Sequence, residues 1–133
     1  MLHSVLAVVV GYLTMAILVM VTTALAVRFV LHQPLGALRS PQTHPLSPAY
    51  LAANVTGSGI AAVIGGGVTA ALAAGHPVTH GAALACLMLL MAVLSLRQMG
   101  SAQPRWYRGV LVAVMPALAV GGAVLYAALI AAH

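Results

Sequence analysis

Residues 5–27 read VLAVVVGYLTMAILVMVTTALAV and contain no charged side chain. Their length exceeds the roughly 20 apolar residues that a helix needs to cross the hydrocarbon core of a bilayer. Three further stretches of this kind follow, at about 50–74, 78–96 and 109–132. The sequence therefore predicts an all-α polytopic membrane protein, a single transmembrane domain over residues 1–133 in which four transmembrane helices pack as a small bundle.

The composition excludes the soluble globular class. The chain is 63% hydrophobic and 4% charged and contains no Asp or Glu, whereas about a quarter of the residues of a soluble domain are charged. Without a carboxylate the chain lacks an acidic general base, an acidic metal site and an acidic proton relay. A nucleophile–base pair of Ser and His would have no carboxylate to orient it, so we expect neither enzymatic activity nor a cofactor.

The cationic side chains predict the orientation. All of them lie in or beside residues 28–49 and 97–108, while the two termini carry none. They are Arg28, Arg39, Arg97, Arg105 and Arg108. Because positive loops stay in the cytoplasm, both of these loops should be cytoplasmic and both termini should lie outside. With no acidic side chain to pair with, we expect the arginines to meet anionic lipid headgroups, and we expect no nucleic-acid partner despite a pI near 10.4.

The first connection is rich in proline, which disfavours helix at and before each proline. We expect residues 31–49 to form an irregular loop, long enough to touch a partner. Its prolines are Pro34, Pro41, Pro45 and Pro48. Ser47-Pro48 has the order of an N-cap followed by a first-turn proline, and His76-Pro77 and Gln103-Pro104 could open the third and fourth helices in the same way.

Small residues at four-residue spacing predict where helices approach closely in lipid. One stripe lies in the second span and the other in the fourth. The expected helix-packing residues are Ala62, Gly65, Gly66, Gly67 and Ala70 in the second span, and Gly109, Ala113, Ala117 and Gly121 in the fourth. Three consecutive glycines in mid-helix carry a propensity cost, which predicts either very close packing or a break in the helix.

The second span also carries a polar membrane site. Asn54, Thr56 and Ser58 alternate just inside it, one turn after Tyr50. We expect Asn54 to form a hydrogen bond to a neighbouring helix, worth about 1 kcal/mol. The alternative is that Asn54 lines a polar pathway.

His76 and His80 are weak metal candidates. Their spacing of four can place two imidazoles on one helix face, but Pro77 puts His76 at or before the helix start. We interpret both as polar residues at the membrane interface and expect no metal site. No histidine lies deep in a span, which makes a bundle-bound haem unexpected.

The string before the fourth span suits an interface anchor. It comprises Arg105, Trp106, Tyr107 and Arg108. Trp and Tyr favour the headgroup level and Arg favours the cytoplasmic side. Exposed aromatic and Arg side chains are also typical of a partner-binding hot spot.

A shift of 56 residues superposes parts of the second and fourth spans. It places Pro48 on Pro104 and Gly65-Gly66 on Gly121-Gly122. The match indicates either an internal duplication or a coincidence in an alanine-rich chain. In a duplication, the glycine clusters and Pro116 would be equivalent interruptions of the kind found at transporter binding sites.

Two strings carry a resemblance to a known group. The first runs from Pro48-Ala49-Tyr50 through Asn54 to Gly65-Gly66-Gly67, and the second from Gln103-Pro104-Arg105-Trp106-Tyr107 to Gly121-Gly122. Together they resemble a group of small four-helix bacterial membrane proteins that is itself uncharacterised. The resemblance implies a bacterial inner-membrane protein and does not imply any activity. The small multidrug exporters depend on a membrane-embedded Glu that this chain lacks, and the fluoride channels have a different glycine–arginine motif.

These features favour a structural or accessory role, in which the chain packs in a larger membrane assembly or with itself. A membrane protein or a second copy is then the expected partner. The alternative function is a channel or carrier for a small neutral or anionic solute, based on Asn54, the glycine clusters and Pro116.

Overall fold

A computed structural model describes residues 2–32, 47–73, 75–99 and 104–132. These residues form four helices, and each is long and apolar enough to cross a membrane. They are α1 (Leu2–Phe29), α2 (Pro48–Leu72), α3 (Pro77–Met99) and α4 (Arg105–Ala131). The described residues include no strand. The prediction of an all-α, four-helix membrane fold is confirmed.

Several expected features lie outside the described residues. They are the prolines Pro34, Pro41 and Pro45, together with Arg39 and Gln103.

The cap of α2 is confirmed. The Ser47 hydroxyl accepts a hydrogen bond from the Tyr50 N–H at 3.3 Å, and Pro48 occupies the first helical position. In α4 the arrangement differs, because Pro104 itself stands at the N-cap position and makes no side-chain cap bond. Helix α4 therefore begins at Arg105, and residues 105–108, expected in the loop, form its first turn.

Helix α2 is the central helix of the bundle. Its most extensive contacts are with α1 on one side and α4 on the other, and α3 packs mainly against α4. Half of the most apolar window of α2 is buried within the protein, against 17% in α1. The outer face of α1 instead exposes large apolar side chains such as Leu13, Ile17 and Met20, as a surface in contact with lipid tails should.

The bundle places its described arginines at one end. Consecutive helices run antiparallel, since Gly11 near the start of α1 packs on Thr69 near the end of α2, and Gly81 near the start of α3 packs on Ala123 late in α4. The ends of α1 and α3 therefore meet the starts of α2 and α4. This end, called the arginine end below, carries Arg28, Arg97, Arg105 and Arg108.

Helix α4 contains a π-helical turn at Val110–Val114, where the Met115 N–H bonds to the Val110 carbonyl. Pro116 explains its position. Proline lacks an N–H, and its ring clashes with the carbonyl four residues earlier, so the regular α pattern cannot continue through this turn. A π turn accommodates one extra residue. Tyr107 and Met115 are eight residues apart with this turn between them. Because the turn holds one extra residue, they are separated by the rotation of about seven α-helical residues, which is close to two full turns. Both side chains therefore lie on the buried face of α4.

Candidate functional site

The polar centre of the bundle is a chain of two hydrogen bonds across three helices. The Tyr107 hydroxyl on α4 donates to Asn54 Oδ1 on α2 at 2.8 Å. The Asn54 Nδ2 group in turn donates to Thr23 Oγ1 on α1 at 3.0 Å. The predicted interhelical hydrogen bond of Asn54 is therefore confirmed, and it has a partner on each side.

Apolar side chains shield this network from water and lipid. Tyr107 packs in a buried cluster with Ala26, Val27, Tyr50 and Leu51, none of them more than 6% exposed. In such surroundings an unpaired donor or acceptor is costly, because no water replaces a missing partner. The arrangement fixes the relative positions of α1, α2 and α4 at the arginine end.

The other two residues of the predicted polar site, Thr56 and Ser58, are not part of this chain of hydrogen bonds between helices. Thr56 is exposed, and its hydroxyl bonds to the Ala52 carbonyl of its own helix at 2.9 Å. Ser58 is 7% exposed and lies one turn after Asn54 on the buried side of α2. Thr23, in contrast, takes part as an acceptor, although a threonine hydroxyl in a span can satisfy itself on its own helix, as those of Thr14 and Thr22 do.

Helix α2 meets α1 through one face of small residues. A Cβ added at Gly65 would lie 2.9 Å from Met15 Cβ and 3.0 Å from the Gly11 carbonyl oxygen, and one added at Gly11 would lie 2.9 Å from the Gly65 carbonyl oxygen. A Cβ at Gly57 would lie 2.7 Å from Thr22 Cβ. Of this face, which also includes Ala61, the sequence analysis predicted only Gly65. Its signal was the four-residue spacing of Gly57, Ala61, Gly65 and Thr69.

Helix α2 meets α4 through the adjacent face, which the sequence did predict. Ala62, Gly66 and Ala70 are buried there, and a Cβ at Gly66 would collide with the Ala119 carbonyl, 2.8 Å from its carbon. Gly67 is half-buried and makes an ordinary contact, its added Cβ lying 3.8 Å from the Gly122 carbonyl oxygen. The three glycines do not break the helix; they permit close packing on two sides.

The α2–α4 contact has two equivalent halves. A Cβ at Gly122 would lie 2.8 Å from the Val63 carbonyl carbon, the same distance that separates a Cβ at Gly66 from the Ala119 carbonyl carbon. One offset of 56 residues relates Gly66 to Gly122 and Val63 to Ala119. The two helices run parallel, because both start at the arginine end. A local two-fold axis between them relates the two reciprocal contacts, which places the internal correspondence at a real contact.

The small residues of α4 that were predicted to pack against another helix of the bundle do not do so. All four are exposed, and nothing lies within 4 Å of a Cβ added at Gly109 or Gly121. The stripe, called the outer stripe below, comprises Gly109, Ala113, Ala117 and Gly121. The buried face of α4 is instead formed by Met115, Ala119, Gly122 and Ala123. In an alanine-rich helix, small residues recur on several faces, and spacing alone does not select the inward one.

The predicted interface anchor divides into two parts. Trp106 is 53% exposed and Arg105 is exposed, as a headgroup anchor requires, and Arg108 is half-buried. Tyr107 is only 6% exposed and bonds to Asn54, so its assignment as an anchor is wrong. The π turn directs it inward, and Pro116 was the only sign of that turn in the sequence.

His76 and His80 lie at the opposite end of the bundle. His76 is exposed and adopts a positive φ of 49° before Pro77. The His80 Nδ1 atom lies 3.0 Å from the His76 carbonyl oxygen. One ring nitrogen of His80 is therefore engaged by the backbone. Across the part of the chain that the structure describes, no three His, Cys, Asp or Glu residues cluster as a metal site would require.

An apolar groove runs between α2 and α4 on the outside of the bundle. Its volume is about 460 Å³. Ile60, Ile64 and Val114 are 57%, 42% and 43% exposed, so the groove opens towards the bilayer. Among the described residues, Thr56 is the one polar residue that lines it, and the others are Val55, Gly59, Ile60, Val63, Ile64, Val114, Met115 and Leu118.

No family model matches the chain, and comparisons with curated proteins and with solved structures found no match. The resemblance to the small bacterial membrane proteins therefore stays a prediction.

Proposed function

We propose that this chain is an accessory protein of a bacterial cytoplasmic membrane, which packs in a larger membrane assembly or with further copies of itself. In this proposal the arginine end faces the cytoplasm and both termini lie on the other side. The arginine distribution supports that orientation.

The observation that carries the proposal is the outer stripe. Gly109, Ala113, Ala117 and Gly121 form an exposed row of small residues on a face of α4 that the bundle leaves uncovered. A helix face that contacts only lipid tails has no requirement for small side chains. Two helices in a membrane associate closely where Gly and Ala let their backbones approach. The buried faces of α2 show that this protein uses the same device internally.

The geometry of Asn54 supports a structural role over transport. Both polar groups of its side chain are bonded to neighbouring helices, and the side chain is 8% exposed. The glycine cluster, which the transport hypothesis treated as an interruption, lies in a continuous helix and packs against α1 and α4.

Bulky substitutions in the outer stripe test the proposal. We expect Ala113→Leu with Ala117→Leu to release the partner chain when the protein is extracted from its native membrane in mild detergent and weighed by native mass spectrometry. The fold should persist, because both positions are exposed.

The matched control is Ala82→Leu with Ala83→Leu, two exposed alanines of α3. This pair should leave the assembly intact. A particle that contains one 13.4 kDa chain and lipid before any substitution would contradict the proposal, as would equal losses from the two pairs.

A further inference from the structure

We propose that the groove between α2 and α4 binds an acyl chain of an anionic phospholipid, whose phosphate group is held by Arg105 beside Trp106. This site is distinct from the outer stripe and does not depend on the accessory role proposed above.

The groove has the size and depth of a lipid site. Its volume of about 460 Å³ falls within the roughly 300–1,000 Å³ of small-molecule sites. Val55 and Ile64 are seven and sixteen residues after Pro48, or roughly 10 and 24 Å along α2 at about 1.5 Å per residue. A headgroup layer of about 6 Å and one leaflet of hydrocarbon about 15 Å deep lie along this path. With the start of α2 at headgroup level, the groove thus begins among the acyl chains and ends near the middle of the bilayer.

The helical register of α4 brings Trp106 above the groove. Trp106 and Val114 are eight positions apart across the π turn. Because that turn holds one extra residue, the two positions lie close to one face of the helix. Arg105 is the preceding residue and is exposed. It lies about 100° around the helix from Trp106, and its long side chain can reach the same headgroup level. An indole at the interface with a guanidinium beside it is the usual combination at headgroup level.

Charge complementarity selects an anionic ligand. The chain has no Asp or Glu, so Arg105 has no side-chain carboxylate to bind. Arginine forms bidentate hydrogen bonds with phosphate, and a cation near an anionic membrane surface gains about fivefold in affinity.

The walls of the groove favour a flexible chain over a second helix. Close helix docking needs small residues. The described lining of this groove instead consists of bulky side chains such as Val55, Ile60, Val63 and Ile64, with Gly59 as the one glycine. An acyl chain can follow such an irregular surface.

The test is native mass spectrometry of the delipidated protein titrated with phosphatidylglycerol and, separately, with phosphatidylcholine of the same chains. We expect one phosphatidylglycerol to bind in preference to phosphatidylcholine. Val114→Trp places an indole in the groove and should abolish most of that binding. The matched control is Val124→Trp, since Val124 is similarly exposed on α4, at 46% against 43% for Val114, and does not line the groove.

A second pair of variants leaves the groove intact. Arg105→Gln should weaken phosphatidylglycerol binding about fivefold, while Arg97→Gln, at the same end of the bundle but on α3, should not. Equal effects within both pairs would overturn the site. Dimers that disappear with Val114→Trp would also overturn it, because a second copy would then occupy the groove.

Discussion

Asn54 is the residue on which the packing of three helices converges. It accepts from Tyr107 and donates to Thr23, and its side chain is withdrawn from lipid. An amide suits this place because it supplies a donor and an acceptor at once. A carboxylate could accept from Tyr107 but would offer no donor when ionised, and it would bring a charge into the membrane.

At the residue scale, we expect graded losses of stability. Tyr107→Phe removes one donor and should lower the free energy of unfolding by about 1 kcal/mol. Asn54→Ala breaks both bonds and should cost more. Thr56→Val, in the same helix but bonded only to its own backbone, should change little. Reversible unfolding in mixed micelles would measure all three, and equal losses for Tyr107→Phe and Thr56→Val would contradict the role of the network.

At the element scale, α2 and α4 associate through backbone approach. Gly122 and Gly121 are neighbours in sequence, but only Gly122 faces a carbonyl, that of Val63. Gly122→Ala should therefore destabilise the protein by about 1–3 kcal/mol through overpacking. Gly121→Ala should be neutral or slightly stabilising, because alanine has the higher helix propensity. Thermal unfolding in detergent would compare them, and a loss at Gly121→Ala equal to that at Gly122→Ala would show that the contact is misplaced.

The π turn leads to a second prediction for α4. In a Pro116→Ala background, deleting Val112 should convert the turn to regular helix while keeping Tyr107 on the buried face, since seven α-helical steps span about two turns. Deleting Val120, between the contact residues Ala119 and Gly122, should rotate one of them out of the interface. We expect size-exclusion profiles to show a folded, monodisperse protein for the first deletion and aggregation for the second. Equal aggregation of both would contradict the proposed register.

The sequence predicted the elements better than their faces. The four spans, the Ser47 cap and the interhelical bond of Asn54 follow from hydropathy, capping chemistry and the cost of a polar group in lipid. The inward face of α4 did not follow, because in a membrane helix both faces are apolar and hydropathy does not distinguish them. The outer stripe and the inward role of Tyr107 were misassigned for this reason. Only the partner helices and the π turn determine which residues of α4 face inward.

At the scale of the whole molecule, the described arginines gather at one end of the bundle. The positive-inside rule predicts that this end is cytoplasmic. An alkaline phosphatase fused after His133 should therefore be active, and a green fluorescent protein at the same position dark. The opposite pattern would reverse the predicted topology.

Contact between the outer stripe and another transmembrane helix is the central functional claim, and cysteine cross-linking in intact native membranes tests it most directly. The native Cys86 is exposed, so the starting protein carries Cys86→Ala. We expect Ala117→Cys to form a cross-link to a second copy or another subunit, whereas Leu90→Cys, a position 55% exposed midway along α3, does not. If Ala117→Cys forms no cross-link, or if both positions react equally, the outer stripe is a lipid-facing surface and the accessory role loses its support.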